Sequence, residues 1–142
     1  MRGMKKMADK LDVESLKKGF INIKIGMLTK EIADIIKLDR DECDIVLWED
    51  RFKYIEKHKE NFESEESFIK HIELIPDIIE NPDYVGRHPK DNSIQYIKQL
   101  DKLMIVAVRI KYKGKLCFRT AYPLTEKQLK DYIESNTAWK VK

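Results

Sequence analysis

The stretch that most limits what this chain can fold into is a pair of alternating runs around one glycine. Met104, Val106, Val108, Ile110 and Tyr112 share one parity. Leu116, Phe118, Thr120 and Tyr122 share one parity beyond Lys113-Gly114-Lys115. A side-chain period of two marks a half-buried strand. Residues 102–112 and 116–122 therefore read as a β-hairpin. For both apolar sets to reach one face, the loop must hold an odd number of residues. A three-residue loop, Lys113-Gly114-Lys115, satisfies this, with Gly114 supplying a left-handed backbone.

This register sets Val108 opposite Thr120 and Ile110 opposite Phe118. On the other face it sets Arg109 opposite Arg119 and Lys111 opposite Cys117. Like charges directly opposed on a sheet repel, by about 3 kcal/mol before screening at a surface dielectric. Either the two guanidiniums splay into water, or an anion lies between them. Guanidinium forks hold phosphate well.

The rest of the chain supplies helices and further strands. Residues 1–12 read as a loose leader and 13–142 as a single domain, a length that buries one core. Phe20 to Ile25, between Gly19 and Gly26, is a short strand. Thr29 caps a helix over 30–38, with Ile32, Ile35 and Ile36 as its buried face. Asp39 to Glu42 is a loop, and Asp44 to Trp48 is an extended lead into a helix over 48–62. Trp48, Phe52, Ile55 and Phe62 form that helix's apolar stripe. A further helix over 65–80 is kinked or restarted at Pro76 and stopped by Asn81-Pro82. Tyr84 to Gly86 and Ser93 to Leu100 are strands. Thr125 and Gln128 form a capping box for a closing helix. Helices first, then an antiparallel meander, then a last helix give an α+β expectation: N-terminal helices on a four-stranded antiparallel sheet.

Composition removes several function classes. No apolar run approaches a membrane span, and the basic N-terminus lacks an apolar signal core. Cys43 and Cys117 lie in no metal or redox spacing, so a reduced, cytoplasmic protein without metal or cofactor is expected. No phosphate loop, dinucleotide, zincin or serine-hydrolase motif is present. The net charge is only +3, but its distribution is uneven. Between residues 87 and 119 stand Arg87, Lys90, Lys98, Lys102, Arg109, Lys111, Lys113, Lys115 and Arg119, against only Asp91 and Asp101. With Tyr96 and Tyr112 interleaved, this basic sheet fits RNA; a solvated sheet face gives the same pattern.

Proton-transfer candidates are few. His58 lies at the edge of the apolar stripe of its helix, where it either packs or exchanges protons near neutral pH. His71 flanks the stripe of the next helix as a surface or packing residue. His88 sits in Arg87-His88-Pro89-Lys90, a loop able to touch phosphate or simply be solvated. The carboxylate pairs Glu49/Asp50, Glu65/Glu66 and Asp39/Asp41 stand at helix starts or in loops and read as structural.

Several segments, in order, resemble a known family. They are Tyr54-Ile55-Glu56-Lys57-His58, the run from Ile75 to Gly86, Ser93 to Lys98, and Leu116-Cys117-Phe118-Arg119-Thr120-Ala121-Tyr122-Pro123. Together, over about residues 44–135, they resemble the phage Barnase–EndoU–colicin–RelE-like nuclease domains. The resemblance implies a metal-independent endoribonuclease from a phage, mobile-element or toxin setting. RNA is then the substrate and an inhibitor protein a potential partner. The chemistry implied is attack of the RNA 2′-hydroxyl on the adjacent phosphate. Carried over residue by residue, His58 is the proton-transfer group and Arg119 the phosphate ligand. Thr120 and Tyr122 are hydroxyl donors. Arg109 joins them on the hairpin argument, with Lys98, Lys111, Arg87 and His88 as substrate-binding residues. Thr120 points coreward in the expected register, so a bulge must re-aim it or its role is structural. Many relatives have a second histidine earlier on the helix of His58; here Phe52, Lys53 and Tyr54 stand there. A two-histidine scheme then needs His71 or His88 to fold in. Two other readings remain: a non-catalytic RNA-binding or protein-interaction module, with a basic sheet and no pocket at His58, and a structural domain without a contiguous basic face.

Overall fold

The computed structural model describes residues 9–111 and 115–141. Seven strands form one mixed sheet: β1 (Asn22–Leu28), β2 (Cys43–Trp48), β3 (Tyr84–Arg87), β4 (Ile94–Gln99), β5 (Leu103–Ile110), β6 (Leu116–Pro123) and β7 (Ala138–Lys140). Their spatial order is β1-β2-β6-β5-β4-β3-β7, with β2 parallel to β6 and the other described pairs antiparallel. The α+β class holds, but the expected four-stranded antiparallel sheet is corrected. The Phe20–Ile25 and Asp44–Trp48 segments join the same sheet, and β7 closes its far edge.

Among the described residues six α-helices accompany it: α1 (Val13–Lys17), α2 (Lys30–Ile35), α3 (Glu49–Lys57), α4 (Glu65–Glu73), α5 (Ile75–Glu80) and α6 (Glu126–Glu134). Thr29 caps α2 through its side chain, and Thr125 with Gln128 forms the capping box of α6. The expected long helix 65–80 is divided, because Pro76 opens α5 as a new first turn. The helix expected over 48–62 ends at Lys57 and continues as a 3₁₀ turn, Lys59–Asn61. Residues 1–8 of the expected leader lie outside the described residues. Its last residues are tied down: the Leu11 amide donates to the Glu73 carbonyl at 3.0 Å, and Asp12 caps α1.

The two faces of the sheet are covered differently. The core face carries Ile45, Leu47, Val85, Ile94, Tyr96, Met104, Val106, Val108, Leu116 and Phe118, packed with α2, α4 and α5 in one cluster. Ile75, Pro76, Asp77, Ile78 and Ile79 of α5 are all buried. The opposite face is covered only in part. Ile97, Leu103 and Ile105 meet Tyr84, Tyr122, Leu129 and Tyr132 beneath α6, while Arg109 and Lys111 stay exposed.

The β5–β6 hairpin departs from the expected register in two ways. Residues 112–114, which include Gly114 and the end of the expected strand, lie outside the described residues. The Lys111 amide donates to the Lys115 carbonyl at 2.6 Å, so pairing closes there rather than one residue further on. Val108 then faces Phe118, Arg109 faces Cys117 and Ile110 faces Leu116. A shift of two keeps the parity, so the core face is as expected. Between Ala107 and Val108 the register slips again: Ala107 faces Thr120 and Val106 faces Ala121, leaving Arg119 as the extra residue of a β-bulge. The bulge turns Thr120 and Tyr122 off the core face, correcting their expected orientation. The two-residue shift, which sets Arg109 opposite Cys117, removes the head-on opposition of Arg109 and Arg119.

Candidate active site

The bulge lies where β2 parts from β6. Their parallel pairing consists of Ile45 with Leu116 and Val46 with Cys117. Beyond it the chain of β2 turns into α3. The first turns of α3 and the strand end of β6 thus form two sides of an open cleft. Arg109, Lys111, Cys117, Arg119 and Thr120 line its floor; Trp48, Glu49, Asp50, Arg51 and Tyr54 line one wall.

Arg51 fixes the bulge. Its Nε and Nη2 both donate to the Arg119 carbonyl, at 2.9 and 2.7 Å. Hydrogen bonds from a charged, planar fork are strong and directional. The Arg51 guanidinium also stacks over the Tyr54 ring, 4.2 Å from its centroid. Backbone conformation at Arg119 is therefore held by a side chain from another element.

The side chain of Arg119 is held from the opposite side. Its Nη1 donates to Asp91 Oδ2 at 2.6 Å. Asp91 belongs to the loop between β3 and β4, and its other oxygen accepts from the Ser93 amide at 3.0 Å and from the Ser93 hydroxyl. These bonds from Ser93, opposed by desolvation and aided by His88 and Arg119, hold the Asp91 carboxyl below its usual range. His88 Nδ1 lies 3.5 Å from Asp91 Oδ1 and accepts from the Lys90 amide at 3.1 Å. With Nδ1 an acceptor, a neutral His88 ring carries its proton on Nε2. Tyr122, opposite Ile105 and packed beneath α6 rather than in the cleft lining, has its phenol pushed up by burial, with Tyr132 and Asp91 adding and Arg119 opposing. Its hydroxyl therefore keeps its proton near neutral pH.

The expected site residues divide into two groups. Arg109, Lys111, Arg119 and Thr120 line one cleft; Arg119 is linked through Asp91 to His88. His58 caps the C-terminal end of α3 outside the lining. Its ring packs on Tyr54, centroids 4.6 Å apart, and its Nδ1 lies 3.8 Å from Glu60. Tyr54 thus stands between His58 and the floor.

Lys98 and Arg87 are not on this face. Lys98 pairs with Met104, on the core-face parity, and its Nζ donates to the Asn81 carbonyl at 2.8 Å. Arg87 pairs with Ile94, again on the core-face parity; its Nε donates to the Asn92 carbonyl at 3.4 Å, and burial lowers its pKa. His71 is buried elsewhere, against Asp101 and the Ser67 carbonyl. Sequence reasoning missed Arg51 and Asp91: Arg51's partner lies 68 residues away in the chain, and Asp91 stands inside a basic window. Among the described residues, no three His, Cys, Asp or Glu side chains converge as a metal-ligand group. No described helix is long and apolar enough to cross a membrane.

A family model described as phage-Barnase-EndoU-ColicinE5/D-RelE like nuclease3 matches residues 23–131, well over half of the chain. No curated protein and no solved structure matches it.

Proposed function

The chain belongs to the phage Barnase–EndoU–ColicinE5/D–RelE-like nuclease family, and from that premise we propose that its cleft cleaves RNA by 2′-hydroxyl transesterification without a metal. The observation that carries this reading is the bulge at Arg119. It turns Arg119 and Thr120 onto one face beside Arg109 and Lys111, a cationic floor with a hydroxyl in its midst.

The chemistry needs four things: a bound phosphate, a base for the 2′-hydroxyl, an acid for the leaving 5′-oxygen and an in-line approach. Arg119 binds the scissile phosphate and stabilises the charge that grows on it. Thr120 donates a hydrogen bond to it, and Arg109 and Lys111 neutralise neighbouring phosphates. The 2′-oxygen bonds to phosphorus as the bond to the 5′-oxygen breaks, leaving a 2′,3′-cyclic phosphate and a 5′-hydroxyl. One group takes the 2′-proton and another delivers a proton to the 5′-oxygen.

In-line displacement puts those two groups on opposite sides of the phosphate. Topology supports such a pair. α3, with Tyr54 and His58, flanks β6 from the β2 side. The β3–β4 loop, with His88, reaches Arg119 from the β4 side. His88 takes the place of the second histidine that the helix lacks. His58 acts through Tyr54, or directly once a substrate displaces that ring.

Purified protein incubated with mixed cellular RNA in excess EDTA tests the reading. Arg119→Ala is expected to lower cleavage by roughly 100-fold or more. His58→Ala and His88→Ala should each cost about 10²–10⁴-fold if both move protons. Products should end in 2′,3′-cyclic phosphate. RNA bound but never cleaved would establish the binding module instead. Cleavage unchanged in all three folded variants would discard this site.

A further inference from the structure

Among the described residues four large apolar side chains are exposed, and three of them line this one cleft: Ile21 at 76%, Trp48 at 39% and Tyr54 at 40% relative exposure. A cluster of exposed apolar side chains next to unneutralised cations marks a ligand surface. Tyr54 already has ring partners, with Arg51 at 4.2 Å and His58 at 4.6 Å. The Trp48 indole has no ring or cation partner among the described residues.

Trp48 is held firmly although its ring is free. It ends β2, pairs with Asn22 of β1 and begins α3 as its N-cap. The next amide, that of Glu49, donates to the Ile21 carbonyl at 3.1 Å, which fixes Ile21 beside it. The carboxylates of this wall do not cancel the floor's charge. Glu49 accepts from the Phe20 amide at 3.3 Å, and Asp50 stands against Arg51, Arg109, Lys111 and Arg119 around the same cleft.

We propose that Trp48, backed by Ile21, is a nucleobase-stacking ledge, and that the cleft selects single-stranded RNA whose backbone lies on Arg109, Lys111 and Arg119. An indole offers any base a π-face, whereas bases in a duplex are already stacked and cannot reach it. Cations on the floor supply phosphate affinity regardless of sequence. A base on the ledge then fixes which phosphate reaches Arg119. This inference rests on the reading of the cleft as an RNA-phosphate site.

The test uses binding without cleavage. A 2′-O-methyl hexanucleotide lacks the attacking hydroxyl, so it reports the ledge whether or not the protein cleaves. In a Trp139→Phe background Trp48 is the sole indole, since the chain has two tryptophans. Its emission should be quenched by the single strand and not by inorganic phosphate. Trp48→Ala should weaken binding about tenfold, the loss typical of one stacked base. Trp48→Phe should retain most of the affinity, and an abasic strand should lose the same factor on wild type. A Trp48→Ala protein that binds like wild type, while Arg119→Ala still weakens binding, would overturn the ledge and leave the phosphate site standing. Duplex bound as well as single strand, with the indole unquenched, would overturn it as well. If no strand binds and Arg119→Ala changes nothing, both readings fall. Protection of Trp48 by a protein partner alone would assign the surface to that partner.

Discussion

Two places in this molecule set a histidine beside an aspartate, and they differ in what is left over. At His71, α4 meets the turn between β4 and β5. The buried ring faces the Ser67 carbonyl with Nδ1 at 2.7 Å and Asp101 with Nε2 at 2.5 Å. Lys70 adds a second donor to the same carboxylate at 2.9 Å. Every strong polar group there has a partner inside the chain. At Arg119 the account does not close. Asp91 is the one described ion-pair partner of Arg119, and among the described residues Arg109 and Lys111 have no ion pair. A closed polar set stabilises a fold, whereas an open set of one sign awaits something of the other sign.

The sharpest way to break this contrast is to remove the cation that each side's logic ranks first. Arg119→Ala should lower RNA cleavage on the order of 100–1000-fold, as the loss of one developing-charge donor does. Thermal unfolding should scarcely move. Its ion pair with Asp91 is part-exposed, and such pairs contribute about 0–1 kcal/mol. The substitution also keeps the Arg119 carbonyl that Arg51 grips. A large fall in melting temperature would instead make Arg119 a structural residue.

The reverse pattern is expected at the closed site. His71→Ala empties a fully buried position and strips a donor from Asp101. Urea unfolding should show a loss of about 1–3 kcal/mol. Cleavage per folded molecule should stay as it was. Loss of cleavage without loss of stability would mean that the two sites are coupled.

How much of this was legible beforehand follows from the range over which each feature is determined. The core face of the hairpin was readable because parity survives any even shift. Val106, Val108, Leu116 and Phe118 are buried although the register moved by two. The caps at Thr29 and Thr125 and the restart at Pro76 are local chemistry, and each lies where the sequence puts it. The bulge entered only as one of two alternatives for Thr120, and its place at Arg119 was not readable. Leu116, Phe118, Thr120 and Tyr122 alternate as if one face ran through, and the clamp that favours the extra residue comes from Arg51, on another element. Strand β7 was missed because three residues carry no period. Gly86 held a hint: a side chain there would collide with the Thr137 carbonyl of the segment entering β7, and glycine inside a strand marks such close approach.

A finer probe of the contrast is Asp91→Asn. Asp91 holds one arm, Nη1, of the Arg119 fork that the proposed mechanism gives to phosphate, so a substrate competes with it there. The amide keeps an oxygen for Ser93 and drops the charge. Affinity for a 2′-O-methyl strand should rise about two- to fivefold, the scale of an exposed ion pair. Fluorescence anisotropy would read it. Weaker binding would show that Asp91 serves chiefly to orient Arg119 rather than to compete for it.

The smallest expected effect concerns acid, and its sign is fixed by which state binds protons more weakly. Hydrogen bonds from Lys70 and His71, with their charges adding, lower the Asp101 carboxyl to about 2 from its ordinary 3.8. The folded chain thus resists protonation at a pH where the unfolded chain accepts it. Stability from this carboxylate is present in full above the ordinary carboxylate range and drains away as pH falls toward 2. Asp91 is shifted the same way and adds to the same slope. In Asp101→Asn the urea midpoint should therefore depend less steeply on pH between about 4 and 2 than in wild type, with equal slopes near neutrality. Asp91→Asn should flatten that leg less, since the neutral Ser93 leads the lowering at Asp91, whereas the cationic Lys70 leads it at Asp101. If Asp91→Asn flattened it more, the cleft would hold its carboxylate more tightly than the buried histidine holds its own, and the distinction between a closed and an open polar set would have to be redrawn.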